Sequence, residues 1–356
     1  MVTEGIEEGR KDWPAIAELH RAFATGLILS AVTQRGTADA AEMVFRLFRR
    51  QQRERFLPGL ERLGLSGMPP AVASARYHYL SNRIGGVNVE YMAESDRKAW
   101  IRYPPPRWIW GGTALCGIPS DVTRAMLRGW HANNGIMLGS PRLCFVCTKM
   151  ATDAADGLEG YYLEHDHDLA PEQRLAFADD EEAPPFDATT APKLSADAWP
   201  AERLAKAHRN YAMEYVRIVL PVVVDLFGPD DGAFLLRRTG RMVGMQYGDM
   251  VIEALSKTAG GSGPLTPEDL LSALFAAQGD DCVIDGTAIV QSRWRLMDGI
   301  ADFHPACRDA LLGMVEGLFF VFGRGYVVEV EPPKEAVHGT RWRIVETDIR
   351  KRGNRS

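Results

Sequence analysis

The residues of this chain best equipped for chemistry are three cysteines and a handful of histidines, all ahead of residue 170. Cys144 and Cys147 stand in a CxxC spacing inside PRLCFVCTK, and Cys116 opens a segment of helical pattern. As thiolates the three would bind zinc, with His165 or Asp166 of HDHD as the fourth ligand. Strand geometry opposes this, because residues three apart on a regular strand point to opposite faces. Cys144 and Cys147 then reach one ion only across a bulge or turn. Their neighbours Leu143, Phe145 and Val146 favour a buried strand in which cysteine behaves as a small hydrophobe. A redox pair is the weaker alternative, since such pairs sit at helix N-termini.

His131, in GWHANNG near an expected helix end, is suited to act as a general base or to orient a ligand. Its bland alternative is a histidine that meets the last carbonyls of the helix. Trp130 shares a helical face with Val122 and Met126 and reads as core or pocket wall, while His131 falls beside Leu127 and Asn134. Upstream, RYHYLSNRIGG places Tyr77, His78, Tyr79 and Asn82 ahead of a Gly-Gly turn. They form either a hydrogen-bonding pocket wall or the packed end of a helix. In YPPPRWIWGG, prolines stiffen a loop that carries Trp108 and Trp110, and Arg107 is a candidate clamp for a carboxylate.

Composition narrows the setting of these groups. The chain has 356 residues, long enough for two cores, with 25% charged residues and a net charge of -6. No basic footprint for nucleic acid or an anionic membrane is present, so a small molecule is the expected partner and a homo-oligomer is left open. The N-terminal MVTEGIEEGRKDWP lacks the pattern of a secretory signal, and the apolar run YVRIVLPVVVDLF is too short to span a bilayer. The expectation is a cytoplasmic protein whose five cysteines stay reduced. No phosphate loop, nucleophile elbow, HExxH or dinucleotide fingerprint occurs, which narrows the enzyme classes without excluding enzymes.

The elements that must position the site come in two rounds. In each half, two long helical patterns precede strand-like segments, VNVEYMAESDRKAWIRY and DCVIDGTAIVQSRWRLM. Then follow a cysteine, a helix and two closing strands. Trp100 and Trp294 are 194 residues apart, Cys116 and Cys307 are 191 apart, and Gly135 and Gly325, read as helix C-caps, are 190 apart. This near-constant offset predicts an α+β fold made by internal duplication of a domain with N-terminal helices and an antiparallel sheet crossed by a long helix. Residues 1–176 form the first repeat and 201–356 the second, the two packing as a pseudo-dimer. The acidic, Pro/Ala-rich stretch 177–200 reads as an exposed linker. The reactive side chains concentrate in the first repeat, so the second reads as a scaffold.

This order of strand pair, cysteine-led helix and closing strands resembles the 4-vinyl reductase domain superfamily, and within it the L-2-amino-thiazoline-4-carboxylic acid hydrolase-like family. The resemblance implies a zinc held by a cysteine before the helix, a Glu-x-x-Cys and a later cysteine. Cys116 and Cys147 match two of these positions, Cys144 stands where the glutamate would be, and GYYLEHD lacks the last cysteine. It also implies a hydrolase that opens C–N bonds of a small cyclic amidine, amide or imide, with water activated by His131 or by the metal. Cys116 is the alternative nucleophile and His78 a further candidate catalytic group. The other reading is a non-catalytic protein that binds a small aromatic or lipid-like ligand in an apolar cavity.

Overall fold

The computed structural model describes residues 10–105, 111–258, 265–331 and 340–347. Arg107, Trp108 and Trp110, the expected clamp and lid, lie outside them. The long helical patterns of the first half become α1 (Trp13–Arg35) and α2 (Thr37–Arg62). Between them Gly36 takes a φ of 94°, a backbone conformation that side chains resist. By length and apolarity α1 could cross a membrane, yet more than half of its most apolar stretch is buried within the protein.

Next come α3 (Pro70–Ile84), begun by a proline at its first position, and the antiparallel pair β1 (Glu90–Ser95) and β2 (Lys98–Tyr103). The helix α4 (Ser120–Gly129) and the short α5 (Asn134–Met137) lead to β3 (Leu143–Lys149), β4 (Leu158–Glu164) and β5 (Leu175–Phe177). The five strands form one sheet in the order β1-β2-β4-β3-β5, antiparallel except for β5, which runs parallel to β3.

The second half gives α6 (Ala201–Phe227), α7 (Pro229–Thr258), α8 (Pro267–Gln278), β6 (Asp281–Asp285) and β7 (Ala288–Arg293). It closes with α9 (Arg308–Phe322), β8 (Tyr326–Glu331) and β9 (Thr340–Glu346). Its sheet order is β6-β7-β9-β8. Strand for strand this is the order of β1-β2-β4-β3 in the first sheet. The fold class is α+β.

The described residues divide into two compact units, one drawn from Met1–Leu27 and Ala201–Ser356, the other from Ile28–Pro200. The chain's opening therefore groups with the second half, whereas the sequence placed residues 1–176 together. In the first of these units α7 and α9 touch backbone to backbone. A Cβ on Gly317 would stand 2.7 Å from the Met245 nitrogen, and one on Gly240 would stand 2.9 Å from that of Met314.

In the Ile28–Pro200 unit both faces of the sheet are covered, so β3 is buried from Leu143 to Thr148 rather than alternating. The inner face carries Phe145 and Tyr162, toward the histidines of α3 and the segment after α4. The outer face carries Met92, Trp100, Cys144, Val146 and Tyr161. The stretch expected to be an exposed linker lies partly over this outer face, where Ala178, Ala183 and Phe186 pack. Its acidic residues have partners: Glu181 accepts from the Tyr161 hydroxyl at 2.8 Å, and Glu182 meets Lys149 at 3.0 Å. Glu159, only 1% exposed, accepts from Thr148 Oγ1 at 2.9 Å and from the Ala183 amide at 3.1 Å. The composition of a linker and that of a strap pinned by acidic side chains are alike.

Candidate functional site

The inner face of the Ile28–Pro200 unit holds a polar cluster inside an apolar core. Residue 129 is glycine because α4 presses on α2 there: a Cβ would stand 2.8 Å from the Phe45 carbonyl oxygen. That approach sets the next residues, Trp130 and a single 3-10 turn His131–Asn133, against α2 and α3. Gly135, expected to cap a helix, instead leaves room for the Ser140 carbonyl and Leu143, where a Cβ would come within 2.8 Å of the Leu143 Cβ.

His78 on α3 and His131 stack with ring centroids 4.2 Å apart and planes 13° from parallel. Trp130 lies edge-on to His78 at 5.8 Å, Tyr77 stacks on Trp130 at 6.2 Å, and Phe145 lies 4.5 Å from His131. Hydrogen bonds then run in one direction. Asn133 Nδ2 donates to Gln52 Oε1 at 2.9 Å, and Gln52 Nε2 donates to Asn134 Oδ1 at 3.2 Å. Asn134 Nδ2 donates to the Tyr162 hydroxyl at 2.9 Å and points its other hydrogen at His78 Nε2, 3.3 Å away. The Tyr162 hydroxyl accepts there, and His131 Nδ1, 2.7 Å away, is the one acceptor within reach of its own buried hydrogen among the described residues, so it donates to that nitrogen.

This order fixes both tautomers. An accepting Nδ1 leaves His131 with its proton on Nε2, and an accepting Nε2 leaves His78 with its proton on Nδ1. Burial keeps both rings uncharged. It pushes His131 down to about 3, and His78 well below the ordinary histidine value, with His131 adding to the effect on His78. Burial likewise raises the Tyr162 phenol well above its ordinary value, so it stays a donor. Two buried polar atoms nearby have no partner among the described residues: Trp130 Nε1, and Ser74 Oγ one helical turn before His78.

Of the site residues expected from sequence, the structure brings His78, His131, Tyr77, Trp130 and Asn134 together. Asn82 stands at the margin, donating to the His78 carbonyl at 2.8 Å and to the Tyr103 hydroxyl at 3.3 Å. Tyr79 turns away and packs 6.0 Å from Tyr91. Tyr162, Gln52 and Asn133 were not expected. Their signal was a pair of glutamines on a buried helix face in RRQQRER and the alternation of GYYLE, which sends Tyr162 inward and Tyr161 outward.

The cysteines do not converge. Cys116 lies in an exposed 3-10 stretch, Gly112–Gly117, ahead of α4 rather than at its start. Cys144 and Cys147 occupy one buried strand, and burial pushes their thiols up to about 11 and about 12. The bulge in β3 falls between Cys147 and Lys149, past both thiols, and so does not turn them to one face. Cys144 Sγ does meet His165 Nε2 at 3.3 Å, in the segment that follows β4. Among the described residues no three His, Cys, Asp or Glu side chains are grouped to hold a metal ion.

Fold and site together define a mixed α+β chain of two like-ordered units, one of which encloses a neutral, hydrogen-bonded histidine pair. Compared with protein-family models, curated proteins and solved structures, the chain matches none.

Proposed function

We propose that the Ile28–Pro200 unit binds a small, uncharged, ring-bearing molecule at the His78–His131 pair. The observation that carries this reading is the stack itself, two neutral imidazoles with fixed tautomers among Trp130, Tyr77 and Phe145. His131 Nε2–H and the unpartnered Trp130 Nε1–H are donors that a ligand carbonyl or ring nitrogen would satisfy, and the aromatic rings would hold its plane. A charged ligand would lose its hydration with no opposite charge in the cluster, so the ligand is neutral.

Between hydrolysis of a small cyclic C–N compound and binding without turnover, the geometry favours binding. A general base works best with a pKa near the operating pH, and His131 at about 3 is far too weak to activate water. The buried thiols are protonated as well.

Titration with uncharged cyclic amidines, lactams, imides and simple aromatic rings tests this, read by tryptophan fluorescence and by product analysis. Saturable binding without product, weakened about tenfold in His131→Phe for the loss of one hydrogen bond, is the expected result. Product formation by the wild type would replace the binding reading with the hydrolytic one. Failure of every ring class to bind the folded protein would end both.

A further inference from the structure

On the surface of the same unit Arg49, Arg53 and Arg128 gather, and Arg174 is close enough for its charge to act on Arg49. Arg49 and Arg53 are one turn apart on α2. Arg49 donates from Nε to the Gly129 carbonyl at 2.8 Å and from Nη2 to that of Arg128 at 2.9 Å. The guanidinium groups of Arg49 and Arg128 both lie over the Phe45 ring, 5.3 and 5.7 Å from its centre. Arg174 reaches the Leu169 carbonyl with Nη2 at 3.3 Å, and its Nε is buried without an acceptor.

Among the described residues no carboxylate pairs with any of the four. Their neighbours on α2 are matched, Arg46 by Glu42 at 2.7 Å and Arg50 by Glu54 at 3.0 Å. The charges also repel one another: burial first, then Arg53 and Arg174, lower the affinity of Arg49 for its proton. So concentrated a patch is unexpected in a chain of net charge -6.

We propose that Arg49, Arg53, Arg128 and Arg174 form a binding site for a compact phosphate dianion, either the free ion or the phosphate group of a small molecule. Guanidinium forks match the oxygens of phosphate two at a time, and the N–H groups of Arg53, Arg128 and Arg174 are largely unspent. An extended polyanion is disfavoured, because beyond this patch it would meet a negatively charged chain. The site also adjoins the histidine pair, since Arg49 holds the last carbonyls of α4 and Gln52, on the same helix, holds Asn134. It does not depend on what the pair binds.

The test is calorimetric titration of the whole protein with inorganic phosphate and with phenyl phosphate, ionic strength held constant with chloride. Saturable binding is expected, weakened about tenfold in Arg53→Gln and in Arg174→Gln, the worth of one charge-assisted hydrogen bond, and unchanged in Arg46→Gln. Tighter binding of phenyl phosphate assigns the site to an organic phosphate, and tighter binding of the inorganic ion assigns it to free phosphate. No saturable heat with either, or an equal loss in Arg46→Gln, overturns the proposal. Arg53 is exposed and unpaired, so its variant tests binding without testing the fold.

Discussion

The imidazoles of His78 and His131 lie face to face, 4.2 Å apart and 13° from parallel, and neither carries a charge. A stack this close disfavours a proton on either ring, because each new cation would be buried against its neighbour.

Acid sensitivity follows. His131 sits at about 3 in the folded protein and near 6.5 when unfolded, so its contribution to stability is complete above pH 6.5 and lost as pH falls toward 3. At pH 4.5 the loss is about 3 kcal/mol, from roughly 1.4 kcal/mol per pH unit. His20, at about 4, acts in the same sense, whereas burial pushes Asp280 up to about 7 and stabilises the fold toward acid. The readout is therefore a difference: urea midpoints of wild type and His131→Phe, measured from pH 7.5 to 4.5. The variant should be the less acid-sensitive, and parallel curves would mean that His131 is not held neutral.

Tyr162→Phe removes one hydroxyl and strands two buried groups, His131 Nδ1 and one N–H of Asn134. Each unpaired group costs about 1–3 kcal/mol, so a loss of about 2–6 kcal/mol in unfolding free energy is expected. Combined with His131→Phe the losses should fall short of additive, since the second change removes a partner already orphaned. Strict additivity would place the two side chains in separate networks.

Glu159 joins the sheet to the strap above it through Thr148 and the Ala183 amide, with Arg102 at 3.5 Å. In Glu159→Gln the Ala183 amide should exchange its hydrogen at least about tenfold faster, because a charge-assisted bond has become a neutral one. Proteolysis between residues 178 and 191 should quicken as well. Unchanged exchange would show that the apolar contacts of Ala183 and Phe186 hold the strap unaided.

The thiols should separate by rate. Cys116 is exposed and should react first with an aromatic disulfide, Cys282 more slowly, and buried Cys144, Cys147 and Cys307 only on unfolding. If Cys144 and Cys147 kept pace with Cys116, or if modification released zinc, the buried-strand assignment would fail.

Much of this was legible in the sequence. Apolar periodicity marked α1, α2, α6 and α7, and the offsets between halves anticipated two sheets of like order, because both signals depend on spacing rather than on partners. Five members of the cluster were named for their chemistry. Tyr162 and Gln52 do not stand out: which of two adjacent tyrosines faces the inner side depends on a register that only packing sets, and Gln51 and Gln52 are both buried, so burial alone does not single out the one that bonds Asn134. The strap reads as a linker in the sequence for a related reason: Glu181, Glu182 and Ala183 have no periodicity, and what holds them is a set of partners distant in sequence. The glycines at 240, 244, 313 and 317, four apart on each helix, were readable as a close helix contact and carried no chemistry to draw attention to them.

The unit built from Met1–Leu27 and Ala201–Ser356 has a schedule written into it. A ribosome makes residues 13–27 before Ile28–Pro200 and the Ala201–Ser356 segment after it. The middle unit is contiguous and can finish folding while synthesis continues. Trp13, Ile16, Phe23 and Leu27, all buried in the finished protein, must meanwhile wait uncovered in the nascent chain. The histidine pair can thus be assembled before residues 13–27 are covered, and those residues are a stretch on which a chaperone would act.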